Sequence, residues 1–161
     1  MFIDSRKNFI VTLLGAVVLL TASQALAYTK PGNPSGFVND FAGIFTVEQK
    51  QSLETKLSAY EQQSTNEVSV VTVKNLGGDY IENYAVKLFK DFGIGKKDKN
   101  NGLLLLIALE DREMRIEIGY GLEGDLTDAE SASIIRNVLT PAFQKSDYYG
   151  GVNTATDLII Q

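Results

Sequence analysis

The 161-residue chain contains no cysteine, no histidine and no tryptophan. The absence of cysteine excludes disulfide bonds, thiolate nucleophiles and cysteine-ligated metals. The absence of histidine excludes Ser-His-Asp and Cys-His catalytic groups and histidine-bound zinc. A metal site in this chain can therefore use only oxygen ligands, a donor set that favours Ca²⁺, Mg²⁺ or Mn²⁺.

Positive charge is also scarce. The chain has 15 Lys and Arg residues against 20 Asp and Glu residues, for a formal net charge of −5. Proteins that bind nucleic acid generally present a basic stripe to the phosphate backbone. The charge balance therefore argues against a nucleic-acid partner.

Long apolar runs are confined to the N-terminal segment, where residues 1–27 are typical of a secretory signal peptide. Arg6 and Lys7 precede the apolar segment Phe9–Leu20, and Ala25-Leu26-Ala27 has the small-x-small pattern of a leader-peptidase site. The apolar segment is shorter than the roughly 20 residues that a membrane-spanning helix needs. We therefore expect cleavage after Ala27 rather than an uncleaved anchor, and an exported protein that is periplasmic or extracellular.

The rest of the chain alternates between helical and strand patterns. Residues 28–36 predict an extended arm, and residues 37–161 predict one folded domain. A capping box, Thr46-Val47-Glu48-Gln49, starts a helix over 47–64. The pattern then predicts buried strands over 68–73 and 103–109, a helix over 81–92, a half-buried strand over 113–120, a helix from Thr127 that Pro141 kinks or ends, and a helix over 147–160.

This order of elements predicts the fold class. It is an α/β fold, a three-layer α/β/α sandwich with a small mixed β-sheet built from one βαβ unit plus a β-hairpin. Residues 36–40 could add an edge strand to that sheet.

Residues 119–124 spell the motif Gly-x-Gly-x-x-Gly between a strand and a helix. A dinucleotide-binding motif requires a further strand after that helix, and none is predicted here. Glu123 and Asp125 would also repel a pyrophosphate. We therefore expect no nucleotide cofactor, and expect the glycines to supply positive φ angles and close packing at the strand exit.

Acidic and amide side chains gather at two places in the predicted sheet. If the strands over 103–109 and 113–120 form a hairpin, the loop before the first and the loop after the second lie at the same end, and their oxygen ligands could hold a divalent cation. The residues in those two loops are Asp98, Asn100, Asn101, Glu123, Asp125 and Asp128.

A second cluster is predicted at the opposite end of the hairpin. There Asp111 lies in the hairpin turn and could approach Asp40, whose loop leads into the first helix. Structural roles explain each acid equally well, because Asp128 favours the helix dipole, Asp40 can cap its own loop, and residues 110–112 can form a solvated turn.

Several segments together resemble the TPM domain family. The resemblance covers roughly residues 37–160, and its most specific part is Arg115–Gly124 followed by Leu126-Thr127-Asp128. The other matching segments are Val38-Asn39-Asp40, Val68–Val73, Asn101–Leu105 and Asp111-Arg112. Asp40, Asp111, Glu117, Glu123 and Asp128 match the family pattern.

The resemblance implies an α/β/α domain of the kind found in exported bacterial proteins and in the thylakoid lumen. It also implies divalent-cation binding in some members, reported acid phosphatase activity in others, and in bacterial members a following membrane helix and Gly/Ser-rich tail. We therefore expect that a membrane anchor could follow this chain. The candidate metal ligands are Asp40, Asp111, Glu117, Asp98, Asn100, Glu123, Asp125 and Asp128.

Three functions remain open at this point. The first is an exported binding module that holds Ca²⁺ or Mg²⁺ and contacts membrane-protein or envelope partners. The second is a metal-assisted acid phosphatase, in which Asp40 or Asp111 is the general base and Arg112 or Lys74 neutralises the phosphate. The third is a purely structural ectodomain of a membrane-anchored protein. The sequence does not define the oligomeric state.

Overall fold

The computed structural model describes residues 28–161, so the predicted signal peptide lies outside the described residues. Residues 28–35 have no regular secondary structure. Within residues 28–161, no helix is both long enough and apolar enough to cross a membrane.

The helices and strands follow the predicted order closely. The four strands are β1 (Val38–Asp40), β2 (Glu67–Val73), β3 (Gly102–Ala108) and β4 (Glu113–Ile118). The helices are α1 (Val47–Ser64), α2 (Ile81–Phe92), α3 (Asp128–Ile134), α4 (Thr140–Gln144) and α5 (Tyr148–Ile159), with a 3₁₀ turn at Tyr120–Leu122 and a π-helical segment at Ile135–Leu139. The capping box predicted at Thr46 is present, and Thr127, where a helix was predicted to start, forms a second one with Glu130.

The four strands form one mixed sheet in the order β1-β2-β3-β4. β1, β2 and β3 are parallel, and β4 is antiparallel to β3. The three parallel strands finish at the same end of the sheet, which we call the carboxyl edge. We call the opposite end, where these strands begin, the amino edge. The predicted mixed sheet, including its short edge strand, is confirmed.

Two separate cores cover the two faces of the sheet, which confirms the three-layer fold. On one face, α1 and α5 pack on β2 and β3 through Leu53, Leu57, Val152 and Ala155. On the other face, α2 packs through residues that include Tyr84, Ala85 and Leu88. Every residue of β3 is buried, because both of its faces are covered by helices.

The helix that begins at α3 does not end at Pro141, so of the two expected effects of this proline, a kink or an end, the end is wrong. Helical structure continues from α3 through the π-helical segment into α4. The N–H of Thr140 donates to the carbonyl of Ile135, five residues earlier. This wider turn places the proline, which has no N–H to donate, at the start of the next helical turn.

The short strand β1 is fixed to the domain by a carboxylate from α1. The backbone N–H of Phe37 donates to Glu54 Oε1 at 2.9 Å, and that of Val38 donates to Glu54 Oε2 at 2.8 Å. Gly36 makes this approach possible, because a Cβ at that position would lie 2.3 Å from Glu54 Oε1. Glu54 therefore joins the start of the edge strand to α1.

Replacing Glu54 with alanine should lower the free energy of unfolding by about 2 kcal/mol, because two backbone donors lose a charged acceptor. Urea denaturation followed by circular dichroism measures the change. The control is Gln63→Ala on the exposed side of the same helix, which should change stability by less than about 0.5 kcal/mol. Equal stability of the two variants would contradict this role for Glu54.

Candidate functional site

Asp40, a candidate both for metal ligation and for general-base catalysis, caps the loop between β1 and α1. Its Oδ1 accepts the N–H groups of Gly43 and Ile44, both at 3.1 Å, and its Oδ2 accepts that of Phe45 at 2.9 Å. The hydroxyl of Thr72 on β2 also donates to Oδ1. Four donors therefore occupy this carboxylate, which matches the loop-capping role considered for it from the sequence.

Asp111 also accepts a hydrogen bond from the backbone, but from the segment that follows β2. Its Oδ2 accepts the N–H of Leu76 at 2.8 Å, so the hairpin turn is attached to the segment that follows β2. Next to it, Glu110 accepts a 2.7 Å hydrogen bond from Asn75. The two candidate acids of the carboxyl edge, Asp40 and Asp111, thus serve separate loops.

A cavity of about 480 Å³ opens at the carboxyl edge, between the β3–β4 turn and the α4–α5 region. Arg112, a phosphate-binding candidate, lines it together with Glu113, Met114, Phe143 and Tyr148. The other catalytic candidates, Asp40, Asp111 and Lys74, do not line it. The guanidinium of Arg112 and the proposed general bases therefore do not share this cavity.

At the amino edge, the two loops predicted to meet do pack against each other. The N–H of Gly121 donates to the carbonyl of Asn100 at 3.1 Å. A Cβ on Gly119 would lie 2.3 Å from that carbonyl oxygen, and one on Gly121 would lie 2.2 Å from the carbonyl oxygen of Lys99. The predicted close packing of these glycines is present, whereas the predicted positive φ is not found at Gly119, Gly121 or Gly124.

The polar side chains of these two loops differ in how they are used. Asn101 is buried, and its side chain bonds the backbone of Thr65 and Lys96, so it holds the loop together. The other side chains are exposed, and none of them has a hydrogen-bond or ion-pair partner within residues 28–161. They are Asp98, Asn100, Glu123, Asp125 and Asp128.

Glu117 lies apart from both clusters. It is on β4, on the face covered by α2, and it accepts a 2.8 Å hydrogen bond from Nε of Arg115. Within residues 28–161, no three Asp or Glu side chains lie together in a group that could hold a metal ion.

Two features of the carboxyl edge could not be found by inspecting the sequence. Thr72, which donates to Asp40, is 32 residues away in the chain and sits in a strand that is rich in valine. The walls of the cavity come from the β3–β4 turn and from α4 and α5. These segments are separate in the sequence and come together only in the folded domain. The one sequence signal for the hydrogen bond between Thr72 and Asp40 was a hydroxyl inside the buried strand. The cavity had no signal in the sequence.

The comparisons with known proteins agree with the resemblance. A family model for the TPM domain matches residues 38–161. The chain therefore belongs to the TPM domain family. No curated protein matches the sequence.

Three solved structures are similar to this chain. The N-terminal domain of a protein from P. gingivalis is 31% identical, with a TM-score of 0.75 over 84% of this chain and 91% of that one. The N-terminal domain of the cg2496 protein from Corynebacterium glutamicum is 18% identical, with a TM-score of 0.61 over 84% and 87%. The BA42 protein from Bizionia argentinensis is 17% identical, with a TM-score of 0.62 over 72% and 79%. The last two show a shared fold.

Replacing Asp40 with alanine should lower the free energy of unfolding by about 3 kcal/mol, because three N–H groups and one hydroxyl lose a charged acceptor. Asp40→Asn should cost less, because its amide oxygen still accepts. Chemical denaturation measures both changes, with Asp98→Ala as the control at an exposed acid that has no hydrogen-bond partner within residues 28–161. An Asp40→Ala protein as stable as the parent would refute the capping role.

Proposed function

We propose that this protein is an exported TPM-domain module that binds a divalent cation weakly at the amino edge of its sheet and contacts membrane-protein or envelope partners. The observation that carries the cation site is the packing of the Gly121 loop on the carbonyls of Lys99 and Asn100. That contact holds the acidic loop of residues 121–128 next to the loop that carries Asp98 and Asn100 together with three lysines.

The side chains of these loops have the chemistry that Ca²⁺ or Mg²⁺ requires. Asp98, Glu123, Asp125 and Asp128 offer carboxylate oxygens that no other described residue occupies, and Asn100 offers an amide oxygen. The carboxyl edge fits an ion poorly by comparison, because Asp40 already accepts four hydrogen bonds.

The expected affinity is low. Since no three carboxylates are grouped within the described residues, the ion would complete its shell with backbone carbonyls and water. Sites of this kind in extracellular modules have dissociation constants of roughly 10⁻⁴–10⁻³ M. Such affinities suit Ca²⁺ outside the cytoplasm, where the predicted signal peptide would deliver this protein.

Contact with membrane-protein or envelope partners is the second part of the proposal. Support for it comes from the signal-peptide pattern of residues 1–27 and from membership in a family whose exported members are often followed by a membrane helix. This part is tested separately. The protein is crosslinked to its neighbours in intact cells and immobilised, and the membrane proteins captured with it are then identified.

The metal-assisted phosphatase is the weaker alternative on this geometry. A general base needs a free oxygen lone pair near the reacting water. Four hydrogen bonds already engage the carboxylate oxygens of Asp40, which makes it a poor general base. We expect no turnover of p-nitrophenyl phosphate with Ca²⁺, Mg²⁺ or Mn²⁺ between acid and neutral pH. Turnover that Asp40→Asn abolishes, with the fold intact, would support the phosphatase and contradict the binding module.

An NMR titration with Ca²⁺ and then with Mg²⁺ tests the cation site. The backbone amide signals of residues 96–101 and 119–128 should shift with a common midpoint in the millimolar range or just below it, while those of residues 40–46 should stay in place. Shifts centred on residues 40–46 would contradict the proposed location, and the absence of saturable shifts anywhere would refute cation binding.

Paired variants sharpen this titration. Glu123→Gln/Asp125→Asn should weaken binding at least about tenfold, because it removes two of the available carboxylates. Glu82→Gln/Asp91→Asn removes the same net charge from α2, on one face of the sheet, and should leave the midpoint unchanged. Equal weakening in both variants would mean that net charge alone attracts the ion.

A further inference from the structure

β4 is an edge strand of the sheet, and half of its backbone N–H and C=O groups point away from β3. The N–H of Gly119 donates to the carbonyl of Gly102, which fixes the alternation of the antiparallel ladder. The odd-numbered residues of β4 therefore bond to β3. The N–H and C=O groups of Met114, Ile116 and Ile118 point outward.

These outward groups have no partner within residues 28–161. β4 pairs only with β3, and none of the three outward N–H groups donates to a turn, a loop or a side chain among the described residues. An open strand edge of this kind is a template on which another strand can pair.

We infer that a second copy of this chain pairs along β4, antiparallel, with Ile116 opposite the partner's Ile116. The two four-stranded sheets would then form one continuous sheet of eight strands across a two-fold axis. In this register Ile116 exchanges two hydrogen bonds with its counterpart, and Met114 and Ile118 pair with the partner's Ile118 and Met114.

The charges along β4 select this register. Glu113, Arg115 and Glu117 alternate in sign on the face covered by α2. With Ile116 on the axis, Arg115 lies opposite the partner's Glu117, and Glu117 lies opposite the partner's Arg115. Sliding the pair by two residues in either direction would instead place Arg115 or Glu117 opposite its own counterpart, and like charges directly opposite are destabilising.

The other face of β4 supports the same pairing. Met114 and Ile118 are only partly buried against the core in the single chain. In the inferred register Met114 lies next to the partner's Ile118, and Ile118 lies next to the partner's Met114. Pairing therefore removes apolar surface from water. A strand edge that presents only one sign of charge would resist self-association, whereas this edge is complementary to itself.

The test compares self-association of the purified protein with that of charge-reversed variants by sedimentation equilibrium. Arg115→Glu and Glu117→Arg should each weaken dimerisation at least about tenfold, because both cross-strand pairs become repulsive. The double swap Arg115→Glu/Glu117→Arg restores both pairs and should recover the dimer. Circular dichroism and thermal melting confirm that each variant is folded.

Mixing the two single variants separates this inference from a loss of stability. In the mixture, the glutamates at 115 and 117 of one chain face the arginines at 117 and 115 of the other. We therefore expect a heterodimer to form from two variants that are each monomeric alone. No simple destabilisation of β4 would produce that result.

Two outcomes would overturn the inference. One is a parent protein that stays monomeric at several hundred micromolar, and the other is a dimer that neither charge reversal weakens. Hydrogen exchange adds a residue-level readout, because the amides of Met114, Ile116 and Ile118 should exchange more slowly as the protein concentration rises. Exchange at these three amides that is independent of concentration would also contradict pairing at β4.

Discussion

The burial of β2 and β3 on both faces is the constraint on which the rest of the structure depends. All seven residues of β3 and six of the seven in β2 are buried, so helices must cover both faces of the sheet. Charged groups are expensive to bury without partners, and most of them are therefore found on the helices, on β4 and in the loops. The acidic loop residues therefore lie toward the two ends of the sheet, without forming a close group of three among the described residues.

The two clusters use their carboxylates differently. At the carboxyl edge, Asp40 and Asp111 accept backbone N–H groups that would otherwise lack partners where the chain leaves the sheet. At the amino edge, backbone contacts and the buried Asn101 already hold the loops together, and the exposed acids accept no hydrogen bond within the described residues, although Asp128 lies in the first turn of α3. Carboxylates that accept no hydrogen bond can bind an ion without first losing one.

Local patterns predict most of this fold, because its signals lie within a few residues of each other. The capping box at Thr46 marks the start of α1, and the buried Leu53 and Leu57 mark the face that packs on the sheet. Long-range relations were beyond such reasoning. The donation from Thr72 to Asp40 and the π-helical segment that accommodates Pro141 depend on contacts or backbone geometry set by the whole domain. The amino-edge loops were predictable because hairpin geometry alone brings them together.

The proposed ion site and the proposed pairing edge meet at Gly119. β4 ends next to this residue, and the loop that carries Glu123 and Asp125 begins directly after it. A second copy that fixes the end of β4 would also restrict the start of the acidic loop, and an ion that orders the loop would restrict the end of β4. Thermodynamic linkage makes any such coupling reciprocal, so the factor by which an ion tightens pairing must equal the factor by which pairing tightens ion binding.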